Sequence, residues 1–308
     1  MPRPLPNEHD CDVLVIGAGP AGLSAALVLA RACRRVLVFD SGKPRNNVST
    51  RTGGFLTRDG AHPMDLRRLG REQLDAYRDV TFRAETEVMA AEAFERGFRL
   101  TTTAGETFSG RKVLVATGVE DRLPPLYDIE EYYGQSVWHC PYCDGYEHRG
   151  ESIAVYGQGA PALSMAKELT RWTDRITLVS DGPCGLSRSR KERLYRLNIA
   201  IREERIARLE GVEGQLERIT FASGPDLDAK AMFFRSDGKA NTAIAAQLGV
   251  TSPDAPFIRT AGYGKTHVPG VYVAGDMSRH VQLAIVAAGE GAAAAFAINS
   301  ELLKEDLA

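Results

Sequence analysis

No uninterrupted apolar run in this 308-residue chain reaches the roughly 18–20 residues that a membrane-spanning helix needs. Met1 to Asp10 has no apolar core of the kind a signal peptide carries, so a cytoplasmic location is the expectation. Cysteines are few: Cys11, Cys33, Cys140, Cys143 and Cys184. Such an odd, sparse set does not make the disulfide framework of a small secreted domain. Charge of one sign is also missing. A formal net charge of -2, with neither a basic nor an acidic tail, gives no reason to expect nucleic acid or an anionic membrane as partner. What is present is ordinary for a globular protein, 44% hydrophobic and 25% charged residues. The length suits about two domains at roughly 100–200 residues each.

Two stretches of the chain repeat one pattern. Asp12 to Ile16 is a Val/Ile-rich run that reads as a buried parallel strand. Gly17-Ala18-Gly19-Pro20-Ala21-Gly22 follows at once, then a helical stretch to Ala32 and a second strand, Val36 to Phe39, ending at Asp40. Gly17 and Gly19 permit a tight turn and close approach of a pyrophosphate, and Gly22 lets helix and strand pack closely. The helix start offers unpaired amides and partial positive charge to phosphates, and Asp40 stands where a ribose hydroxyl would be held. The same order returns as Ile153 to Tyr156, Gly157-Gln158-Gly159-Ala160-Pro161-Ala162, a helix over Leu163 to Trp172, and Ile176 to Val179. Between the units, Arg83 to Ala90 and Phe98 to Thr103 read as strands, and Gly211 to Gly224 as a β-hairpin. Ala116-Thr117-Gly118 and Gly275-Asp276 end two further apolar runs, and a long Ala-rich helix from Leu283 closes the chain. These downstream pieces favour FAD in the first site. Asp276 would hold the ribityl chain, and the last helix would aim its N-terminus at the flavin pyrimidine edge.

Only Cys140 and Cys143 are close in sequence, in Cys140-Pro141-Tyr142-Cys143. Two cysteines at that spacing can close a disulfide within one turn, a nearby helix start favours the thiolate, and the two intervening residues tune the potential. Asp144 or His139 is placed to move the accompanying proton. The motif is also half of a zinc site, but no second Cys-x-x-Cys exists, and no metal is expected. Cys11 and Cys33 read as packing residues.

Together these features resemble the low-molecular-weight thioredoxin reductase-like flavoprotein family over nearly the whole chain. The most specific piece is Cys140-Pro141-Tyr142-Cys143-Asp144-Gly145; its Cys-Pro-Tyr-Cys form resembles the branch that includes dithiol oxidases of epidithio-compound biosynthesis. The resemblance implies an α/β fold of two Rossmann-like nucleotide-binding domains of the three-layer ββα type, the second inserted into the first. The expected division is 1–120 and 243–308 for FAD and 121–242 for the inserted domain carrying the cysteines. It implies that Cys143 faces the flavin, that Cys140 exchanges with the external thiol or disulfide, and that Asp144 is the general acid/base. It extends the flavin set to Ser41, Arg45, Asn46, Val88, Gln282, Leu283 and Ala284. A homodimer is implied, with a thioredoxin-like protein or a small dithiol as partner.

The inserted domain departs from the family. Typical members grip the NADPH 2′-phosphate with a His-Arg-Arg run after the second strand; here Ser180-Asp181-Gly182 stands there, and a carboxylate beside a phosphate is repulsive. Asp181 better suits a free ribose hydroxyl, with Gly157, Gly159 and Ala160 at the phosphates. Arg188, Arg190, Lys191 and Arg193 read as a solvated helix face. Three readings stand for this domain: weak NADH binding, a second FAD as in diflavin relatives, or no ligand. The family's Arg-Gln-Ala at the last helix is Gln282-Leu283-Ala284 here. The expectation is therefore dithiol oxidation through the cysteine pair to FAD without NADPH. The alternatives are an NAD(P)H-driven thioredoxin-disulfide reductase running the other way, and a redox-sensing nucleotide-binding protein.

Overall fold

A computed structural model describes residues 11–95, 97–252, 255–278 and 281–308; the signal-peptide reading of Met1 to Asp10 lies outside them. Among the described residues no helix is long and apolar enough to cross a membrane. The chain forms two compact units. The first takes residues through Asn47, Phe55–Glu120 and Lys239–Ala308; the second takes Val48–Gly54 and Asp121–Gly238.

The first unit begins β1 (Cys11–Ile16), α1 (Pro20–Arg31), β2 (Val36–Phe39), α2 (Pro63–Leu74) and β3 (Val80–Arg83). It continues β4 (Val88–Phe94), β5 (Gly97–Thr102), β6 (Thr107–Val115) and β7 (Val119–Glu120). The strand expected over Arg83 to Ala90 is thus two strands, parted by a turn in which Glu85 adopts φ 49°. β1 pairs in parallel with β2 and β6, and β2 with β3. Every residue of β1 is buried because the sheet is covered on both sides. Leu14 and Ile16 join one apolar cluster with Phe39, Val113 and Val271. Val13 and Val15 join the opposite one with Ala25, Leu29 and Ile298. Cys11 is buried in the first cluster, whereas Cys33, expected in packing, is exposed at the end of α1 with φ 57°.

The second unit holds α3 (Ile129–Tyr132), β8 (Val137–Trp138), α4 (Pro141–Asp144), β9 (Ile153–Tyr156), α5 (Gly159–Leu169) and β10 (Ile176–Val179). Then come α6 (Arg188–Arg196), β11 (Ala200–Arg202), β12 (Ile206–Val212), β13 (Gln215–Phe221), β14 (Leu227–Asp228) and β15 (Ala231–Phe234). Its parallel sheet runs β11-β10-β9-β15-β8, the same strand–helix–strand plan as the first unit. α5 starts at Gly159 rather than Leu163, inside the glycine turn itself. The expected hairpin is β12–β13, shifted toward the N-terminus and turning at Glu213 and Gly214, both with positive φ, the conformation tight hairpins favour.

The chain returns through β16 (Lys239–Ala240), α7 (Ala243–Gln247), β17 (Val271–Val273) and α8 (Ala284–Leu307). β16 pairs antiparallel with β7, so the return falls at Lys239 where 243 is the sequence expectation. The expectation also places Val48–Gly54 with the first domain; it packs with the second. Both units are Rossmann-like α/β folds.

Candidate active site

In the first unit the glycines do steric work. A Cβ on Gly17, whose φ is +104°, would lie 2.3 Å from the Ala116 carbonyl oxygen; one on Gly22 would lie 1.8 Å from that of Gly17. Around Gly19 the corresponding space is open for 4 Å. Of the first three positions of α1, Pro20 has no N–H to lose, and the amides of Ala21 and Gly22 have no acceptor within the helix. Gly22→Ala is expected to cost about 1–3 kcal/mol by overpacking. A lowered thermal midpoint with weakened flavin retention would show it, and an unchanged midpoint would contradict it.

Asp40 ends β2 with Oδ1 accepting from the Gly42 amide at 3.0 Å and Oδ2 from Arg67 at 2.5 Å. Ser41 beside it is exposed. Arg67 lies on α2, a helix the sequence reading does not place, and its buried Nε has no partner. Arg45 donates to Asp276 and to Gln282, both at 2.8 Å, which joins three of the sequence-predicted residues in one cluster; Asn46 follows on the same short turn. The Thr117 hydroxyl donates to the Asn241 carbonyl at 2.7 Å, and Gly118 turns the chain with φ 66°. The Gly275 amide donates to Glu290, a residue with no sequence signal of its own. Leu283 caps α8 and Ala284 begins it. Val88 opens β4 inside the apolar cluster of Leu37, Phe39 and Val115. Open ground at Gly19, two outward amides, an acid at the end of β2 and an unpaired buried Arg67 nitrogen fit FAD.

In the second unit Cys140 and Cys143 are joined in a disulfide with Cα atoms 5.3 Å apart. Cys140 caps α4, and the Cys143 amide lies 3.1 Å from its sulfur. Because α4 has only four residues, that single amide, not a helix dipole, faces the sulfur. The disulfide is half-buried, Tyr142 is exposed and meets Trp172 edge-on, and Gly145 lies flat against Trp172. A Cβ on Gly53 would sit 2.1 Å from the Cys143 carbonyl oxygen, so Val48–Gly54 lies directly on the redox turn. Asp144 is buried, and its carboxyl is pushed up to about 7, first by burial and then by Glu147, while Arg51 pulls it down. Trp138 is buried and donates to His148, which pairs with Glu151. His139 bonds the Tyr133 hydroxyl, which donates to Asp121.

The second glycine turn differs in chemistry from the first. Gly157 and Gly159 have φ 136° and 66°. Of the first three amides of α5, Gly159 donates to the Cys184 carbonyl at 2.8 Å, and Pro161 has none. Only Ala160 is left to donate outward. The loop carrying Cys184 is anchored: the Cys184 amide donates to Glu203 at 2.8 Å, and Lys191 pairs with the same carboxylate. These bonds hold the Glu203 carboxyl down at about 2. Asp181, predicted to face a ribose, is turned to its own unit, accepting from the Ile206 amide at 2.8 Å and pairing with Arg205. Lys191 is thus tied to Glu203, while Arg188, Arg190 and Arg193 are exposed on α6. A cleft of about 310 Å³ beside the turn is lined by Arg122, Tyr156, Gly157, Gln158 and Phe234.

The family model for pyridine nucleotide-disulphide oxidoreductases matches residues 11–291. Thioredoxin reductase tcpT of Claviceps purpurea is 33% identical, over 86% of each chain. The solved structure of HlmI is 35% identical, covering 99% of this chain and 96% of its own, with a TM-score of 0.92. Bacillus anthracis TrxB is 30% identical over 96% of this chain and 99% of its own, with a TM-score of 0.91.

Proposed function

The chain belongs to the pyridine nucleotide-disulphide oxidoreductase family as a thioredoxin reductase-like, FAD-dependent enzyme, and from that premise we propose that it oxidises dithiols and takes no electrons from NADPH. The observation that carries this is the second glycine turn, where the Cys184 carbonyl occupies the Gly159 amide and leaves one free amide against two in the flavin turn. A dinucleotide pyrophosphate depends on those amides. The Ser180-Asp181-Gly182 turn carries no arginine to grip a 2′-phosphate, and Arg205 beside it is already paired with Asp181.

In this reaction one substrate thiolate attacks Sγ of Cys140, the S–S bond breaks, and Cys143 leaves as thiolate. The second substrate thiolate then displaces Cys140 from the mixed disulfide, closing the substrate disulfide. The substrate loses two electrons and two protons, and the cysteine pair gains two electrons. Asp144 accepts a substrate proton as the attacking thiolate forms. The turn at Gly17 to Gly22, Asp40 and the Arg45–Asp276–Gln282 cluster would hold FAD, which when bound would supply the two-electron acceptor for the Cys140–Cys143 dithiol. Regeneration would then need a terminal acceptor, oxygen or another carrier. The partner is a small dithiol or a thioredoxin-like protein.

The same proposal includes a homodimer, supported by Phe296 and Leu303 exposed on α8. It includes a cytoplasmic setting, supported by the free thiols Cys11, Cys33 and Cys184. A second reading, reduction of a thioredoxin-like protein by a pyridine nucleotide, is favoured by the retained glycine turn and by relatives that carry the name thioredoxin reductase. A second FAD would need the amide that the Cys184 carbonyl holds. Denaturing the purified protein and counting released nucleotides is therefore expected to give one FAD per chain and no pyridine nucleotide. Two FAD per chain would overturn the closed-turn reading.

A further inference from the structure

The acid beside the disulfide has two charged neighbours of opposite sign, and they are bonded to each other. Arg51 meets Glu147 at 2.9 Å. Arg51 comes from Val48–Gly54, the segment that Gly53 locks against the carbonyl of Cys143; Glu147 stands three residues after Asp144. The Nε of Arg51 and the Oε2 of Glu147 are buried with no partner, while the two side chains are 36% and 26% exposed, so the pair stands half in solvent at the edge of the buried acid. We propose that Arg51 and Glu147 are positioning residues that jointly set when Asp144 takes and releases its proton during disulfide exchange. The inference rests on the reading of Asp144 as the proton-handling group.

The argument is electrostatic. Asp144 is buried at 7% exposure, where a neighbouring charge is weakly screened. Glu147 makes a second negative charge costly and holds the proton on Asp144. Arg51 favours the carboxylate and draws the proton off. Each is restrained by the other, so neither can swing out to water without breaking the pair. Other ionisable groups near the motif are committed elsewhere: His148 to Trp138 and Glu151, His139 to Tyr133. Tyr142 and Tyr146 are exposed, and the cysteines carry no charge while joined. Burial alone would raise the acid, and it is the main cause. The ion pair is what makes the position adjustable in both directions.

The test uses the full FAD-loaded chain. Reduction of the Cys140–Cys143 disulfide by dithiothreitol is quenched by alkylation at successive pH values, and modified cysteines are counted by mass. This readout does not pass through the flavin, and ionisation of dithiothreitol is common to all variants. The wild-type rate is expected to rise with a midpoint near Asp144's value of about 7. Glu147→Gln is expected to move that midpoint down by about one pH unit and Arg51→Gln up by about one. The double variant, which leaves two amides and no net charge change, returns it toward wild type, and either single variant alone decides the matter if the other folds poorly. A midpoint that stays fixed in a folded single variant, or two single variants that move in the same direction, overturns the proposal. Asp144→Asn separates the two levels: if it leaves the rate and the pH limb intact, the reading of Asp144 itself has failed.

Discussion

Replacing Cys143 with serine is expected to lower steady dithiol turnover on the order of 10³-fold or more, because an obligatory covalent step is removed. Serine matches cysteine in size, and Cys143 is half-buried with its amide already bonded within the turn, so the fold should persist. The variant keeps Cys140 as a thiol. Incubation with excess bis(2-hydroxyethyl) disulfide should therefore leave a mixed disulfide at Cys140, visible as one added mercaptoethanol mass, because neither position 143 nor the bound half of the probe then holds a thiol to expel it. Cys140→Ser should lose turnover equally but trap far less, since the thiol that remains is not the one assigned to external exchange. Flavin absorbance and thermal midpoint near wild type would show that chemistry, not folding, was lost. Turnover of Cys143→Ser within about tenfold of wild type would move electron entry elsewhere. Of the remaining cysteines, Cys11 and Cys184 are buried and only Cys33 is exposed, so Cys33 would be the place to look.

How far the sequence reveals this site depends on how local each feature is. The two Val/Ile-rich strands, the glycine turns and the cysteine pair are contiguous in sequence, and each stands where the sequence reading puts it. Turns carried by non-glycine residues are hidden. Cys33, Glu85 and Asp181 adopt φ 57°, 49° and 49°; the side chains of Cys33 and Glu85 do not announce a left-handed turn, and Asp181 permits one without saying where its carboxylate goes. That is why one strand is read where β3 and β4 stand, and why Asp181 is read as pointing at a ribose when it caps the start of β12. Long-range partners are hidden as well. Arg51 and Glu147 are far apart in sequence, and Gly53 looks like any loop glycine until the Cys143 carbonyl is seen against it. The same holds for Gly291 on α8, where a Cβ would come 1.9 Å from the Ala21 carbonyl oxygen and prise α8 from α1.

Mixed anaerobically with stoichiometric NADPH, the protein should keep its visible flavin band, whereas a dithiol should bleach it. The difference between the two glycine turns sets the size of the effect. α1 presents the Ala21 and Gly22 amides, but α5 presents only Ala160, because Pro161 lacks an N–H and the Gly159 amide is held by the Cys184 carbonyl. A hydrogen bond to a charged phosphate contributes about 1.5–3 kcal/mol, so the one missing bond weakens binding on the order of 10- to 100-fold. The Cys184 loop cannot simply yield. Its thiol is fully buried in the apolar cluster of Val155, Met165 and Leu178, and its amide is tied to Glu203, which Lys191 also holds. Arg205, an exposed cation beside Asp181, is already paired with that carboxylate. Rapid, stoichiometric bleaching by NADPH would show that this loop opens, and would turn the enzyme's direction around toward disulfide reduction. Slow bleaching that Glu203→Ala accelerates would instead locate the barrier in the latch, since that change releases the Cys184 amide while leaving the cysteine pair and the flavin site untouched.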